Sequence, residues 1–207
     1  PLLALAFTMV AVAALLHGDF NRRGQSSRIL IACVVVIALQ ACVLVLNLDL
    51  AYYDGWENIV VYPDEFVPGW QWEDEAGVVH TQDEPLAGEA MPNGPVILSW
   101  ADVEASQDWD TSGMNLAIHE FAHKIDMRNG AANGCPPLPA EMPPNVWKKT
   151  MLAAYEHFRQ RAARGDRTAI DPYAAESPAE FFAVLSEVFF VEPALLLADE
   201  PTGSLDH

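Results

Sequence analysis

Asn115-Leu116-Ala117-Ile118-His119-Glu120-Phe121-Ala122-His123-Lys124-Ile125-Asp126 is the stretch that decides the fold. Leu116, Ile118, Phe121, Ala122 and Ile125 recur at helical spacing, so Met114 to Met127 is expected to form a half-buried helix. Asp110, Thr111 and Ser112 offer capping side chains ahead of it, and Asn129-Gly130 is a stop signal behind it. Within that helix His119 and His123 lie about 40° apart around the axis and one turn along it, so both imidazoles face one point. Glu120 sits on the flank of the same face, within reach of a water held there.

An HExxH pattern also arises by chance in helices whose histidines are merely satisfied by their neighbours. A third ligand on a separate element is what distinguishes a metal site. Ser177-Pro178 opens a second helix, Pro178 to Phe190, proline being favoured in a first turn. It carries Glu180 and Glu187 on one stripe, while Phe181, Phe182, Val184, Leu185 and Phe189 are core material. By spacing alone either glutamate could complete the set, the other then serving as a hydrogen-bond acceptor behind the ligands or as a surface charge. Asp126 falls on nearly the same face as His119, where it could accept from a ligand imidazole or stand as a surface carboxylate at the helix end. Zinc suits such a donor set, since it takes imidazole nitrogen and carboxylate oxygen in tetrahedral geometry and leaves a fourth position open. It also brings the pKa of water down towards about 7, so that Glu120 could take the proton and later return it to a leaving amine.

Around these two helices the chain reads as α+β, mainly helical, with a small sheet ahead of the HExxH helix. Trp56 to Pro63 is rich in β-branched and aromatic residues and reads as a strand. Val78 and Val79 suggest a shorter strand, and Pro68-Gly69-Trp70-Gln71-Trp72 reads as loop. Pro95 to Trp100, introduced by the turn Asn93-Gly94, is a second clear strand. Trp147 to Arg164 reads as an exposed helix holding most of the basic residues, and Ile29 to Leu46 as a buried helix. Residues 1–28 form an apolar, irregular start, 29–192 the expected catalytic domain and 193–207 a tail. Within that tail Leu195 to Asp206, LLLADEPTGSLD, resembles the strand of ATP-binding-cassette ATPases that carries an Asp and a Glu. With no GxxxxGK[ST] loop in the chain to cradle phosphate, Asp199 and Glu200 have no nucleotide role.

The 207 residues are 51% apolar, enough for one sizeable core. A formal charge of −18 repels phosphate backbones and anionic membranes, which argues against a nucleic-acid partner. After Arg28 no lysine or arginine occurs until Lys124, although Asp49, Asp54, Asp64, Glu65, Glu73, Asp74 and Glu75 intervene. That negative region is either a solvating surface or a field that draws in a cationic substrate end. Cys33, Cys42 and Cys135 form no C-x-x-C pair and suit a reducing compartment.

Several separate blocks resemble one family, the Mlc titration factor A family of zincin-type metallopeptidases of bacteria. They are QACVLVLNLDLAYYDGWENIVVYPDEFV, GPVILSW, NLAIHEFAHKIDMRNGAANGCPPLP and DPYAAESPAEFFAVLSEVFF. The resemblance implies a zincin-like domain with one zinc per chain, held by His119, His123 and the glutamate of the PAE segment, Glu180. It makes Glu120 the base and Tyr173, from the DPYA segment, a catalytic hydroxyl that donates to the oxyanion. It further implies a cytoplasmic aminopeptidase acting on peptides, linked to glucose uptake through a transcriptional repressor of the Mlc type. On that pattern Val96 to Trp100 is the edge strand along which substrate lies. Two other readings compete: a zinc endopeptidase tethered to a membrane through residues 2–46, and a protein that acts by sequestering the repressor.

Overall fold

The computed structural model describes residues 10–12, 25–55, 58–73, 77–81, 83–106 and 114–198. The apolar run before Val10, the anticipated capping residues 110–113, the acids Asp74 and Glu75, and the tail from Asp199 onwards lie outside them.

A four-stranded mixed sheet has the order β1 (Val10–Val12), β2 (Asn58–Tyr62), β6 (Val96–Ser99), β5 (Gly88–Ala90). The first three strands run parallel, with Ile59 opposite Val96 and Tyr62 opposite Ser99. β5 is antiparallel to β6, with Gly88 opposite Leu98 and Ala90 opposite Val96. β3 (Gln71–Glu73) and β4 (Val79–Thr81) form a separate antiparallel pair.

Two expectations change here. Gln71–Glu73 is a strand rather than loop, because β4 supplies it with backbone partners. More consequentially, Val96–Ser99 is not an edge: it is flanked on both sides, by β2 and β5, and the chain enters a helix at Trp100. Val96, Leu98 and Ser99 are accordingly almost fully inaccessible. The edge beside the HExxH helix is Gly88–Ala90, whose composition, without a β-branched or aromatic residue, gives no strand signal.

From Cys33 to Leu44, helix α1 (Gln25–Leu44) buries Cys33, Ile37, Ala38 and Ala41 while Val35, Leu39 and Val43 stay exposed, so this part of it is buried along one face. Among the described residues no helix is long and apolar enough to cross a membrane. Short α2 (Trp100–Ala105) follows β6, and α3 (Leu116–Asp126) carries the HExxH segment. The cap of α3 is Asn115, which accepts from the Ile118 N–H, rather than the residues upstream. α4 (Pro144–Ala163) is largely exposed, and α5 (Pro178–Val191) starts at Ser177, whose hydroxyl accepts from the Glu180 N–H. Pro193–Ala198 is a short helix, α6, so the ATPase-like segment does not begin as a strand.

Two apolar clusters flank the site. Ile37, Ala41 and Val45 meet Ile59, Val96, Leu98, Phe121 and Ile125 on the sheet side. Phe158 and Ile170 meet Phe181, Val184 and Val188 on the other. The ring of Phe121, fully buried, packs edge-on against Tyr53 with centroids 5.5 Å apart. α3 is thus fixed against the sheet through Phe121 and Ile125, one turn apart, and its opposite face is turned to α5.

Candidate metal centre

His119 and His123 leave α3 one turn apart and meet Glu180 from the first turn of α5. His119 Nε2 lies 3.0 Å from Glu180 Oε2, His123 Nε2 lies 3.2 Å from the same oxygen, and the two Nε2 atoms are 3.1 Å apart. These three side chains form a group able to hold a metal ion. Edges of about 3.3 Å are those of a tetrahedron whose corners stand about 2.0–2.1 Å from a common centre, the bond length of zinc to nitrogen or oxygen.

The chemistry of the neighbours makes the same point. His119 Nδ1 is 2.7 Å from Glu187 Oε1, so Nδ1 gives its proton to that bond and Nε2 is the nitrogen whose lone pair is open to a proton or a cation. That lone pair faces a carboxylate oxygen and a second imidazole nitrogen, an arrangement that calls for a cation or a proton between them. Glu187 Oε2 also accepts from the backbone N–H of Asn115, the α3 cap. The glutamate that does not join the trio therefore ties His119 and the start of its helix to α5. Glu187 is thus a buried hydrogen-bond acceptor behind His119 rather than a surface charge.

The electrostatics follow from burial and mutual proximity. Burial pulls the His119 imidazole down, but hydrogen bonds to Glu180 and Glu187 and the nearby carboxylate charges outweigh it and push the ring up to about 10. Burial raises Glu180 in turn, yet the two imidazoles hold it at about 2. Glu120, only 6% exposed, is pushed up to about 7 by burial, with His119 and His123 opposing. A carboxyl group poised near neutrality can both accept and release a proton at working pH. Tyr173 stands in a 3-10 turn, Pro172–Ala175, that Asp171 caps by accepting from its N–H. Its ring centroid is 6.1 Å from that of His119, and burial together with the charges of Glu180, Glu176 and Glu120 keeps its hydroxyl protonated well above the usual range.

Asp126 is not a surface carboxylate: it is fully buried, and its Oδ2 accepts from Asn133 N–H at 2.6 Å and Gly134 N–H at 2.7 Å. Gly134 has φ +75°, and a Cβ there would fall 2.6 Å from the carbonyl oxygen of Pro178 at the start of α5. Asp126 thus fixes the loop against which the Glu180 helix begins. Two further contacts carry no sequence signal. A Cβ on Gly88 would stand 2.5 Å from Glu120 Oε1, so β5 passes directly beside that carboxylate. Lys124, 4% exposed, donates to Met91 O at 2.6 Å and Gly94 O at 2.8 Å.

Comparison with known proteins agrees with this arrangement. The family model described as glucose-regulated metallo-peptidase M90 matches residues 13–202. Proteins named Mlc titration factor A are similar to the chain. That of Escherichia fergusonii is 43% identical over 169 residues, covering 80% of this chain and 63% of the relative. That of Edwardsiella ictaluri is 44% identical over 163 residues, covering 77% and 61%, and that of Cronobacter sakazakii 43% over 168 residues, covering 80% and 63%. The chain therefore spans about 63% of the length of these relatives. With a metallopeptidase model matched over most of its length and a cluster in which the two histidines of its HExxH helix meet Glu180 of α5, this chain belongs to the glucose-regulated metallo-peptidase family M90.

Proposed function

We propose that the chain is a zinc-dependent peptidase in which His119, His123 and Glu180 hold one metal ion, Glu120 is the general base and Tyr173 donates to the oxyanion. The observation that carries this reading is the meeting of three lone-pair donors at 3.0 to 3.2 Å, with the other nitrogen of His119 already engaged by Glu187. Zinc bound there supplies Lewis-acid polarisation of the scissile carbonyl and lowers the pKa of water at the site. Glu120 takes the proton from the attacking water and returns it to the leaving amine, for which its position near pH 7 is apt. The Tyr173 hydroxyl, protonated throughout the working range, donates to the oxygen that gains charge as the carbonyl becomes tetrahedral.

An extended peptide suits the sheet edge. Leu86 exchanges backbone hydrogen bonds with Phe66 on the side away from β6, and alternation directs the backbone groups of Gly88 and Ala90 the same way. Among the described residues no strand pairs with that side of β5. Substrate adding there lies beside Glu120. We assign aminopeptidase specificity, with the acidic surface drawing in the substrate ammonium group, and a cytoplasmic setting.

The test is direct. Zinc-loaded protein should release the chromophore from an alanine anilide. Glu120→Gln should lose turnover by at least a hundredfold while keeping its zinc, and His123→Ala should lose both. Full activity in either variant refutes the assignment. The name of the relatives, Mlc titration factor A, favours a second reading in which binding of an Mlc-type repressor is the output. Glu120→Gln separates the two: a cellular effect that survives this substitution is sequestration, and one that disappears with it depends on hydrolysis.

A further inference from the structure

Lys124 follows the second histidine directly and is one turn beyond Glu120 on α3. A buried ammonium needs partners, and this one has two backbone carbonyls, both at the tip of the hairpin that joins β5 to β6. The tip is a closed unit: Met91 N–H donates to Pro95 O at 3.1 Å, Gly94 N–H donates to Met91 O at 3.1 Å, and Asn93 takes a left-handed φ of 53°. At the other end of β5, Gly88 abuts Leu116 and Glu120. One face of α3, Leu116, Glu120 and Lys124, therefore runs beside the whole of β5 and its turn. Lys124 joins the two by hydrogen bonds to the tip, about 10 Å along the strand from Gly88.

From this geometry we infer that Lys124 is a positioning residue for substrate: it clamps the β5–β6 turn to α3 and so fixes the height and register of the substrate-binding edge relative to Glu120. An apolar side chain would fill the same space, but it would leave the Met91 and Gly94 carbonyls without this donor and the strand free to lift. A substrate long enough to pair with β5 depends on that register. One that offers a single residue and a chromophore does not.

The substrate half of the inference rests on the peptidase reading, whereas the clamp itself does not. Zinc-loaded protein and its Lys124→Met variant are compared on an alanine anilide and on an alanine-led hexapeptide, with amide hydrogen exchange measured on the same samples. The hexapeptide-to-anilide ratio of kcat/KM is expected to fall at least tenfold, and the Met91 and Gly94 amides to exchange at least tenfold faster. Lys124→Arg, which keeps a cation able to reach the carbonyls, should recover most of the ratio. Should Lys124→Met fail to fold, Lys124→Gln, with amide donors on a shorter stem, is read in the same way. An equal loss on both substrates, or an unchanged ratio, overturns the positioning role, and unchanged exchange overturns the clamp. Absence of turnover by the unsubstituted zinc-loaded protein on either substrate overturns the peptidase reading and the substrate half with it, leaving the clamp to be decided by exchange alone.

Discussion

Replacing Gly88 with alanine adds one methyl group in the space between β5 and Glu120. The new Cβ would lie 2.5 Å from Glu120 Oε1 and 2.8 Å from both Glu120 Cγ and Leu116 Cδ1. Ordinary contact begins at 3.4 Å, so the carboxylate must retreat by about 0.9 Å or the strand must lift by as much. The strand resists through its pairing with β6 and the Lys124 anchor, and α3 resists through the fully buried Phe121. The terminal carboxylate of Glu120 is the softest of the three, and it turns aside. A displacement of about 1 Å at a proton-transferring group costs on the order of a hundredfold in rate. Overpacking of this kind lowers stability by about 1–3 kcal/mol. Neither the histidines nor Glu180 is touched, so the variant should bind zinc as the parent does while kcat on the alanine anilide falls about a hundredfold. Zinc content by elemental analysis and kcat by continuous absorbance would be measured on the same preparation. Retention of kcat within threefold, with zinc bound, would refute the placement of Glu120 against β5, and loss of zinc would show that the strand bears on the ligands themselves.

Glu187→Gln keeps the shape of the side chain but has one acceptor oxygen where His119 Nδ1 and the Asn115 N–H each use one, so zinc affinity in chelator competition should weaken about 10- to 100-fold, an unchanged affinity being the contrary result. Metal removal exposes the proton linkage. In the metal-free protein His119 is raised from 6.5 to about 10 and Glu120 from 4.5 to about 7, so their stabilising contributions are complete below 4.5 and are lost as pH rises towards 10. Glu180 is lowered from 4.5 to about 2, and its contribution is present above 4.5 and lost as pH falls through about 2. Denaturant midpoints of the metal-free protein should therefore peak near pH 4.5 and decline towards pH 10, and zinc binding at pH 8 should release a proton from His119, seen by calorimetry in buffers of different ionisation heat. A midpoint that rises steadily from pH 5 to pH 9, or zinc uptake at pH 8 without proton release, would contradict this account.

Much of the site is local and was readable from the chain alone. Helical spacing puts His119 and His123 on one face whatever surrounds them, and the Ser177-Pro178 start fixes the phase of Glu180 and Glu187 on α5. The start of α3 was less legible: its cap is Asn115, whose side chain accepts from the Ile118 N–H and whose own N–H is taken by Glu187 of α5, a contact no local pattern encodes. The sheet was legible where Val, Ile and Leu cluster, in β2 and β6, and silent in Gly88–Ala90, which is a strand only because β6 pairs with it.

Sequence by itself determined the donor types, their helical phase and the polarity of each face, since these depend on residue identity and on the 3.6-residue turn. It left Glu180 and Glu187 equivalent by spacing, and a resemblance rather than periodicity chose between them. Only the packing of α5 across α3 gave them different partners, bringing Glu180 Oε2 to both Nε2 atoms and Glu187 to the far nitrogen of His119. Which strand is the edge, which glycine must be small and which lysine must be buried were likewise settled by tertiary structure. Each depends on contact between segments distant in sequence, and no local periodicity encodes the distance between them.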